Sequence, residues 1–402
     1  MIRVAEAIAI IKEQTRRLPL ECVALADALG RVLAEDVIAD SDLPPFNRAQ
    51  MDGYAVRSTD LFELPARLRV VGESAAGRGW HRLMQAREAV RIMTGAPVPA
   101  GADSVQQVEM TRELDGGAIV EIDKATTPGQ FITAHASEVR AGETVLKGGT
   151  EINAAMMAAL ASFGYAEVTV GARPRVCVLA TGTELVTVNQ KPAADQIRDS
   201  NSYSLGAYAA LAGARPERLP LAGDDVKLLE HEISEAATRS DALILSGGVS
   251  MGVYDFTKAA LHALGAEIFF ERVSLRPGKP TVFARLGETL IFGLPGNPVS
   301  VSVTFNLFAR TALRVMQGAS EAAMIEEHAI LAHGVRGTAE RESYLPARME
   351  TNEAGQLLAV PLKWGGSSDF VAFARATALI NVPPDVKILE AGAIVKIVRL
   401  PG

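Results

Sequence analysis

The chain predicts a multidomain α/β plus β protein. Its parts are a doubly wound, mostly parallel α/β domain, an inserted β-rich domain, an α+β linking domain around the insertion, and a small C-terminal β domain. Three observations carry this. Strand, loop and helix alternate regularly from Pro174 onward, short β-rich runs broken by Gly, Pro and Asp occupy residues 46–140, and the helical period disappears beyond residue 328. At 402 residues the chain has room for several such units.

Each element has a local reason. Residues 4–17 set Val4, Ala7, Ile8 and Ile11 at helical spacing, a second short helix precedes Gly30, and Arg31 to Ala39 reads as extended. After Pro44-Pro45 come short strands such as Leu68 to Val71 and Ala118 to Ile122. Residues 151–163 are helical by propensity and stop at Gly164, with Met156 and Met157 packing into a core. Strand 175–180 runs into Thr181-Gly182-Thr183-Glu184, with a helix from Ser200; strand 218–221 runs into Gly223-Asp224-Asp225 and helix 226–239. Strand 242–245 leads through Ser246-Gly247-Gly248-Val249-Ser250-Met251-Gly252 to helix 255–264. Strands at 267–273, 281–286 and 289–293 follow, and Asn297-Pro298 opens a helix to about residue 317. The last strands are expected at 326–331, 344–349 and 393–400. The domain boundaries expected are 1–45 with 141–173, 46–140, 174–326 and 327–402.

Composition narrows the function. Forty Lys and Arg against 47 Asp and Glu, a formal charge of -7, argue against nucleic acid or an anionic membrane as the partner. No apolar run approaches a membrane span and the N-terminus does not resemble a signal peptide, so a cytoplasmic protein is expected. Cys22 and Cys177 are far apart, and Cys177 lies in an apolar run as a buried thiol. The six histidines are scattered, which argues against zinc. A P-loop and a clear Gly-x-Gly-x-x-Gly are both missing, which weakens P-loop ATPase and ordinary dehydrogenase.

In an open parallel sheet, ligands bind beyond the carboxyl ends of the strands. Ser246 to Gly252 offers Gly247 and Gly248 for close backbone approach, with Ser246 and Ser250 as donors. Asn297 caps a helix whose free N–H groups face a ligand. Arg272, Arg276 and Lys279 add three cations near a tight turn. Against them stand Glu184, Asp224, Asp225 and Asp255, and acids beside a phosphate pocket call for a divalent cation between them, here magnesium. The alternative for Asp224, Asp225 or Asp255 is a helix cap.

Seven motifs occur in order: Pro44 to Val56 with Met51-Asp52-Gly53-Tyr54, Arg91-Ile92-Met93-Thr94-Gly95-Ala96, Thr181 to Leu185, Asp199-Ser200-Asn201-Ser202, Ser246 to Gly252, Arg276-Pro277-Gly278-Lys279-Pro280, and Gly293 to Ser300. The set resembles the MoeA family of molybdopterin molybdenumtransferases, related to the E domain of gephyrin, along essentially the whole chain. The resemblance implies a cytoplasmic homodimer that takes adenylylated molybdopterin and molybdate, inserts the metal at the dithiolene, and releases AMP with magnesium. It implies that Asp52 and Thr94 reach the site from the partner subunit, while Met51, Tyr54 and Val56 pack. Glu184, Asp224 and Asp255 match acids around nucleotide and magnesium; Arg272, Arg276, Lys279, Pro280, Ser300 and Ser367 match positions around pyrophosphate and molybdate. A family arginine falls on Pro346, which leaves Arg348 or Arg341 to substitute, and Thr133-Ala134-His135-Ala136 stands where an arginine-rich stretch is common. A molybdopterin adenylyltransferase and an apo-molybdoenzyme are the partners implied. Two alternatives stay open: a relative of the adenylyltransferase or CinA type, and a paralogue that binds or scaffolds without turnover.

Overall fold

The computed structural model describes residues 1–248, 256–338 and 340–401. They divide into two compact units, one of Met1–Glu35, Gly148–Met157 and Glu167–Gly402, the other of Asp36–Lys147 and Ala158–Ala166.

In the first unit, helix α1 (Val4–Gln14) buries Val4, Ala7 and Ile11. It stops three residues short of the expected end because Thr15 turns extended ahead of Pro19. The short helix before Gly30 is a single 3-10 turn, Leu25–Asp27. Helix α2 (Ala154–Ser162), whose first turn belongs to this unit and whose remainder belongs to the second, ends at Gly164, whose φ of +77° suits the left-handed stop.

The dominant element is a six-stranded sheet of β1 (Arg175–Ala180), β2 (Arg215–Arg218), β3 (Ala242–Ser246), β4 (Glu267–Arg272), β5 (Pro280–Leu286) and β6 (Thr289–Leu294). Their order is β2-β1-β3-β6-β5-β4, with β2, β1, β3 and β6 parallel and β5 antiparallel to both of its neighbours, β6 and β4. Alternate residues explain the near-continuous apolar runs. Val176, Val178, Ile244 and Phe292 face a core shared with α1 and helix α3 (Asn201–Leu211); Cys177, Leu179, Leu243 and Ile291 face one shared with α4 (Val226–Arg239) and α5 (Phe256–Ala263). Strand β2 lies three residues before the expected 218–221. It is an edge strand with all four residues exposed, so backbone pairing to β1 defines it and the apolar pattern does not. The long helix after β6 is α6 (Pro298–Thr304), one π-turn at Phe305–Ala309 and α7 (Arg310–Met316).

The C-terminal strands close on themselves. Glu342–Thr351 pairs with Leu357–Pro361, that with Glu326–Leu331, that with Ile394–Arg399, and Ala378–Val382 joins Ile394–Arg399 back to Glu342–Thr351. Closure removes every open edge of this small barrel but one flank of Glu342–Thr351, where Leu275–Arg276 adds in parallel. Arg276 is thereby fixed at the barrel's rim.

The second unit holds a six-stranded sheet in the order Ser104–Gln107, Gly53–Val56, Glu88–Ile92, Ala66–Ser74, Ile119–Ile122 and Thr111–Leu114, with a core on each face. Tyr54 and Val56 are buried as expected, whereas Met51 is 38% exposed, because it sits in the turn before the strand begins.

Candidate active site

A cleft of about 970 Å³ opens beyond the carboxyl ends of β1, β3 and β6, where the topology of a parallel sheet puts a ligand. Its floor requires glycine. Gly247 has φ +99°, and a Cβ there would stand 2.3 Å from the Thr181 carbonyl oxygen; at Gly248, φ +64°, it would stand 2.5 Å from Thr257 Oγ1. Ser246 is 2% exposed and its Oγ accepts from Asn201 Nδ2 at 2.8 Å. The same amide donates to the Gly296 carbonyl at 2.7 Å, so Asn201, at the start of α3, ties the end of β3 to the loop after β6. Asn201 Oδ1 is buried and has no hydrogen-bond partner among the described residues.

The acids divide their work. Asp225 caps α4 by accepting from Leu228 N at 2.9 Å. Asp224 lines the cleft, and its Oδ2 accepts from both the N–H and the hydroxyl of Thr183 at 3.2 Å, which fixes the loop that carries Glu184. Glu184 and Asp224 line one cleft, together with Asp199 and Arg198. Two hard oxygen donors of this kind suit magnesium, which keeps several of its waters. Among the described residues no group of three metal-ligating side chains occurs. Asp255 and Ser250 lie outside the described residues.

A loop from the C-terminal barrel closes the other side. Asn297 holds the cap position of α6, but its side chain does not cap; its amide donates to Ser367 Oγ at 2.9 Å, and Val299 N donates to the Ser367 carbonyl at 3.0 Å. Ser368 and Phe370 line the cleft just beyond. Asp369 fastens the loop by accepting from Gly365 N at 2.8 Å and Ala372 N at 3.1 Å, bonds that hold its carboxyl below the usual range. On the far side of this loop Gly365 and Gly366 line a second cleft of about 500 Å³, together with Arg276, His333, Arg336 and Lys363.

The expected residues are therefore distributed. Glu184, Asp224, Ser246, Gly247, Gly248, Pro280 and Asn297 line the first cleft, Ser367 sits between the clefts, and Arg276 lines the second. Lys279 is half-buried in the turn between Arg276 and Pro280, its carbonyl accepting from Val273 N. Arg272 ends β4 and is exposed; Ser300 is buried within α6; neither lines a cleft. Arg348 pairs with Glu350 on the barrel surface and lines neither cleft. Asp52 and Thr94 meet in the second unit, where Asp52 Oδ1 accepts from the Thr94 N–H at 2.6 Å and its hydroxyl at 2.7 Å, lowering the carboxyl's pKa. In the sequence Asn201 stands out only as part of a motif, and Arg336 and Lys363 stand in no motif.

Comparison with known proteins agrees with this architecture. The MoeA N-terminal region (domains I and II) matches residues 2–164, a molybdopterin-binding domain matches 177–315, and the MoeA C-terminal region (domain IV) matches 328–400. The chain is 34% identical to the molybdopterin molybdenumtransferase of Bacillus subtilis strain 168, over 99% of this chain and 94% of that one. It is 35% identical to that of Staphylococcus aureus strain COL, over 99% and 95%. A crystal structure of the molybdopterin biosynthesis MoeA protein from Pyrococcus horikoshii OT3 superposes with a TM-score of 0.84 at 27% identity, over the full length of both. The chain belongs to the MoeA family of molybdopterin molybdenumtransferases and is a transferase of molybdenum cofactor biosynthesis.

Proposed function

We propose that the first cleft binds adenylylated molybdopterin, and that the enzyme inserts molybdate at the dithiolene with magnesium-dependent release of AMP. The observation that supports this is that Glu184 and Asp224 share one cleft, beyond the strand ends, with the glycine floor of Gly247 and Gly248. Glu184 and Asp224, with Asp255, would hold magnesium, which offsets charge at the scissile phosphoanhydride when bound. The protein's own part is positioning. Gly247 and Gly248 let the backbone approach the phosphates, Asn201 and Asn297 lock the loops around them, and Lys279 and Arg276 supply positive charge for a tetrahedral oxyanion.

The proposal extends to assembly. The working enzyme is a cytoplasmic homodimer of four-domain subunits, with residues 1–45 and 141–173 as the linking domain, in which Asp52 and Thr94 complete the partner's site. A molybdopterin adenylyltransferase supplies the substrate, and apo-molybdoenzymes receive the product.

The test is AMP release from purified adenylylated molybdopterin with magnesium, with and without micromolar molybdate. Molybdate-dependent release, with transfer of active cofactor to an apo-molybdoenzyme, is the expected result. Tight binding with no release would replace this reading with that of a binding paralogue.

A further inference from the structure

We propose that Arg198 is a phosphate-binding residue of the first cleft, carried on the wall that residues 185–198 build. The ligand class is a phosphate ester of the nucleoside monophosphate kind. If the function proposed above holds, the phosphate is that of the adenylyl group, and to that extent the inference rests on that reading.

Charge is the first argument. Among the described residues Arg198 is the only lysine or arginine that lines this cleft, and three carboxylates, Glu184, Asp199 and Asp224, line it too. Two of the three are engaged by the chain itself. Asp199 is 4% exposed and accepts from the Ser202 N–H at 3.0 Å and from the Ser202 hydroxyl, while Asp224 accepts from Thr183. The Arg198 guanidinium, among the described residues, is bonded to two carbonyl oxygens and to no carboxylate. Elsewhere in the same unit the charges of Arg175, Arg285 and Arg314 are taken by Asp241, Glu267 and Glu151. A phosphate brought among carboxylates meets repulsion, and a cation in the same wall offsets it.

The second argument is that the side chain is held in place beforehand. Arg198 Nε donates to the Val188 carbonyl at 3.0 Å and to the Gln190 carbonyl at 3.1 Å. These bonds occupy one N–H and leave both terminal nitrogens of the fork to donate to a ligand. The backbone beneath is fixed as well, since Leu185–Val186 and Ile197–Arg198 form a short parallel ladder. On either side of it, Ile197 N donates to the Glu184 carbonyl and Asp199 N to the Val186 carbonyl, both at 2.9 Å. An ordinary exposed arginine loses much rotamer freedom when it grips an anion, and one tethered at both ends loses little.

Position relative to the glycine floor is the third. Gly247 and Gly248 offer backbone and no side chain, so an anion resting there has its charge met from a wall. Arg198 stands three residues before Asn201, whose amide donates to Ser246 Oγ, the residue next to Gly247. The arginine and the floor are thus set by one short run of bonds. A guanidinium fork with both ends open matches two oxygens of one phosphate.

The experiment is calorimetric binding of AMP, and separately of adenosine, to the full-length enzyme and to Arg198→Met, at one fixed magnesium concentration and with thermal melts to confirm folding. The variant is expected to weaken AMP about tenfold, as loss of a charge-assisted contact does, with adenosine affinity unchanged. An equal loss for AMP and adenosine overturns the assignment, because Arg198 then acts only as the tether of the 185–198 wall. A variant that binds AMP like the wild type overturns it too, even where molybdate-dependent AMP release upholds the proposed function. So does a wild type that binds AMP no more tightly than adenosine, since the cleft then holds no phosphate. The tenfold loss confined to AMP, beside a wild type whose AMP release ignores molybdate, sustains Arg198 as a phosphate ligand and removes the proposed function.

Discussion

The two clefts are built in opposite ways. The first is made of backbone: glycines at positive φ, helix starts and loops tied by Asn201, with acids that invite a divalent cation. The second is made of side chains, with Arg276, Arg336 and Lys363 around a cavity that no carboxylate lines among the described residues. A backbone site needs particular residues at consecutive positions, whereas a side-chain site needs only that separate segments converge.

The largest effect that tests this contrast is expected at Asp224. Asp224→Asn removes a charge facing the cleft and weakens the clamp on Thr183, so turnover should fall about 100-fold. Rate measurement across a magnesium titration reads it, and a variant within threefold of the wild type would sink the magnesium role.

A smaller effect is expected at Asn201. Asn201→Ala removes two donors and leaves the buried Ser246 hydroxyl and the Gly296 carbonyl without them, at a cost of about 1–3 kcal/mol. Nucleotide affinity should drop about tenfold with a parallel fall in Tm. A variant with weakened nucleotide binding and unchanged Tm would mean that Asn201 touches the ligand and is not primarily a tie between loops.

How far each cleft is legible in the sequence follows from its construction. Gly247, Gly248, Glu184, Asp224 and Asn297 stand next to the strands and helix starts that position them, so the alternation from Pro174 by itself places them at one sheet edge. The helices and the buried strands β1, β3 and β6 are equally plain, because both faces of the sheet are apolar. Strand β2 falls three residues from its expected place because Arg215-Pro216-Glu217-Arg218 is an exposed edge with no apolar pattern to read. Closure of the C-terminal barrel depends on Ala378–Val382 pairing on both sides, and nothing local encodes that. Arg336, on the two-residue strand Val335–Arg336, and Lys363 lie 27 residues apart by their numbering, where a cation is ordinarily just a solvated side chain. The division of labour between Asp224 and Asp225 also needs geometry, since by sequence either could cap α4.

The smallest effect concerns the loop the two clefts share. Asp369 fastens residues 365–372 through the N–H groups of Gly365 and Ala372, and these bonds hold its pKa below the ordinary 3.8. A carboxyl lowered on folding contributes stability that is complete above its unfolded value and is lost as the pH falls through its folded value. The loop should therefore be fully fastened at pH 5 and loosen below about pH 4, before the β1–β3 pairing does. Hydrogen-exchange protection at Gly365 and Ala372, compared with Val178 as an internal reference for global unfolding, measures this. Asp369→Asn keeps an acceptor oxygen without the charge, so protection should be a few-fold lower at pH 5 and no longer pH-dependent between 5 and 3. Equal protection in wild type and variant across that range would show that Ser367, through Asn297 and Val299, fastens the loop alone, and the two clefts would then share a wall set by the helix start of α6.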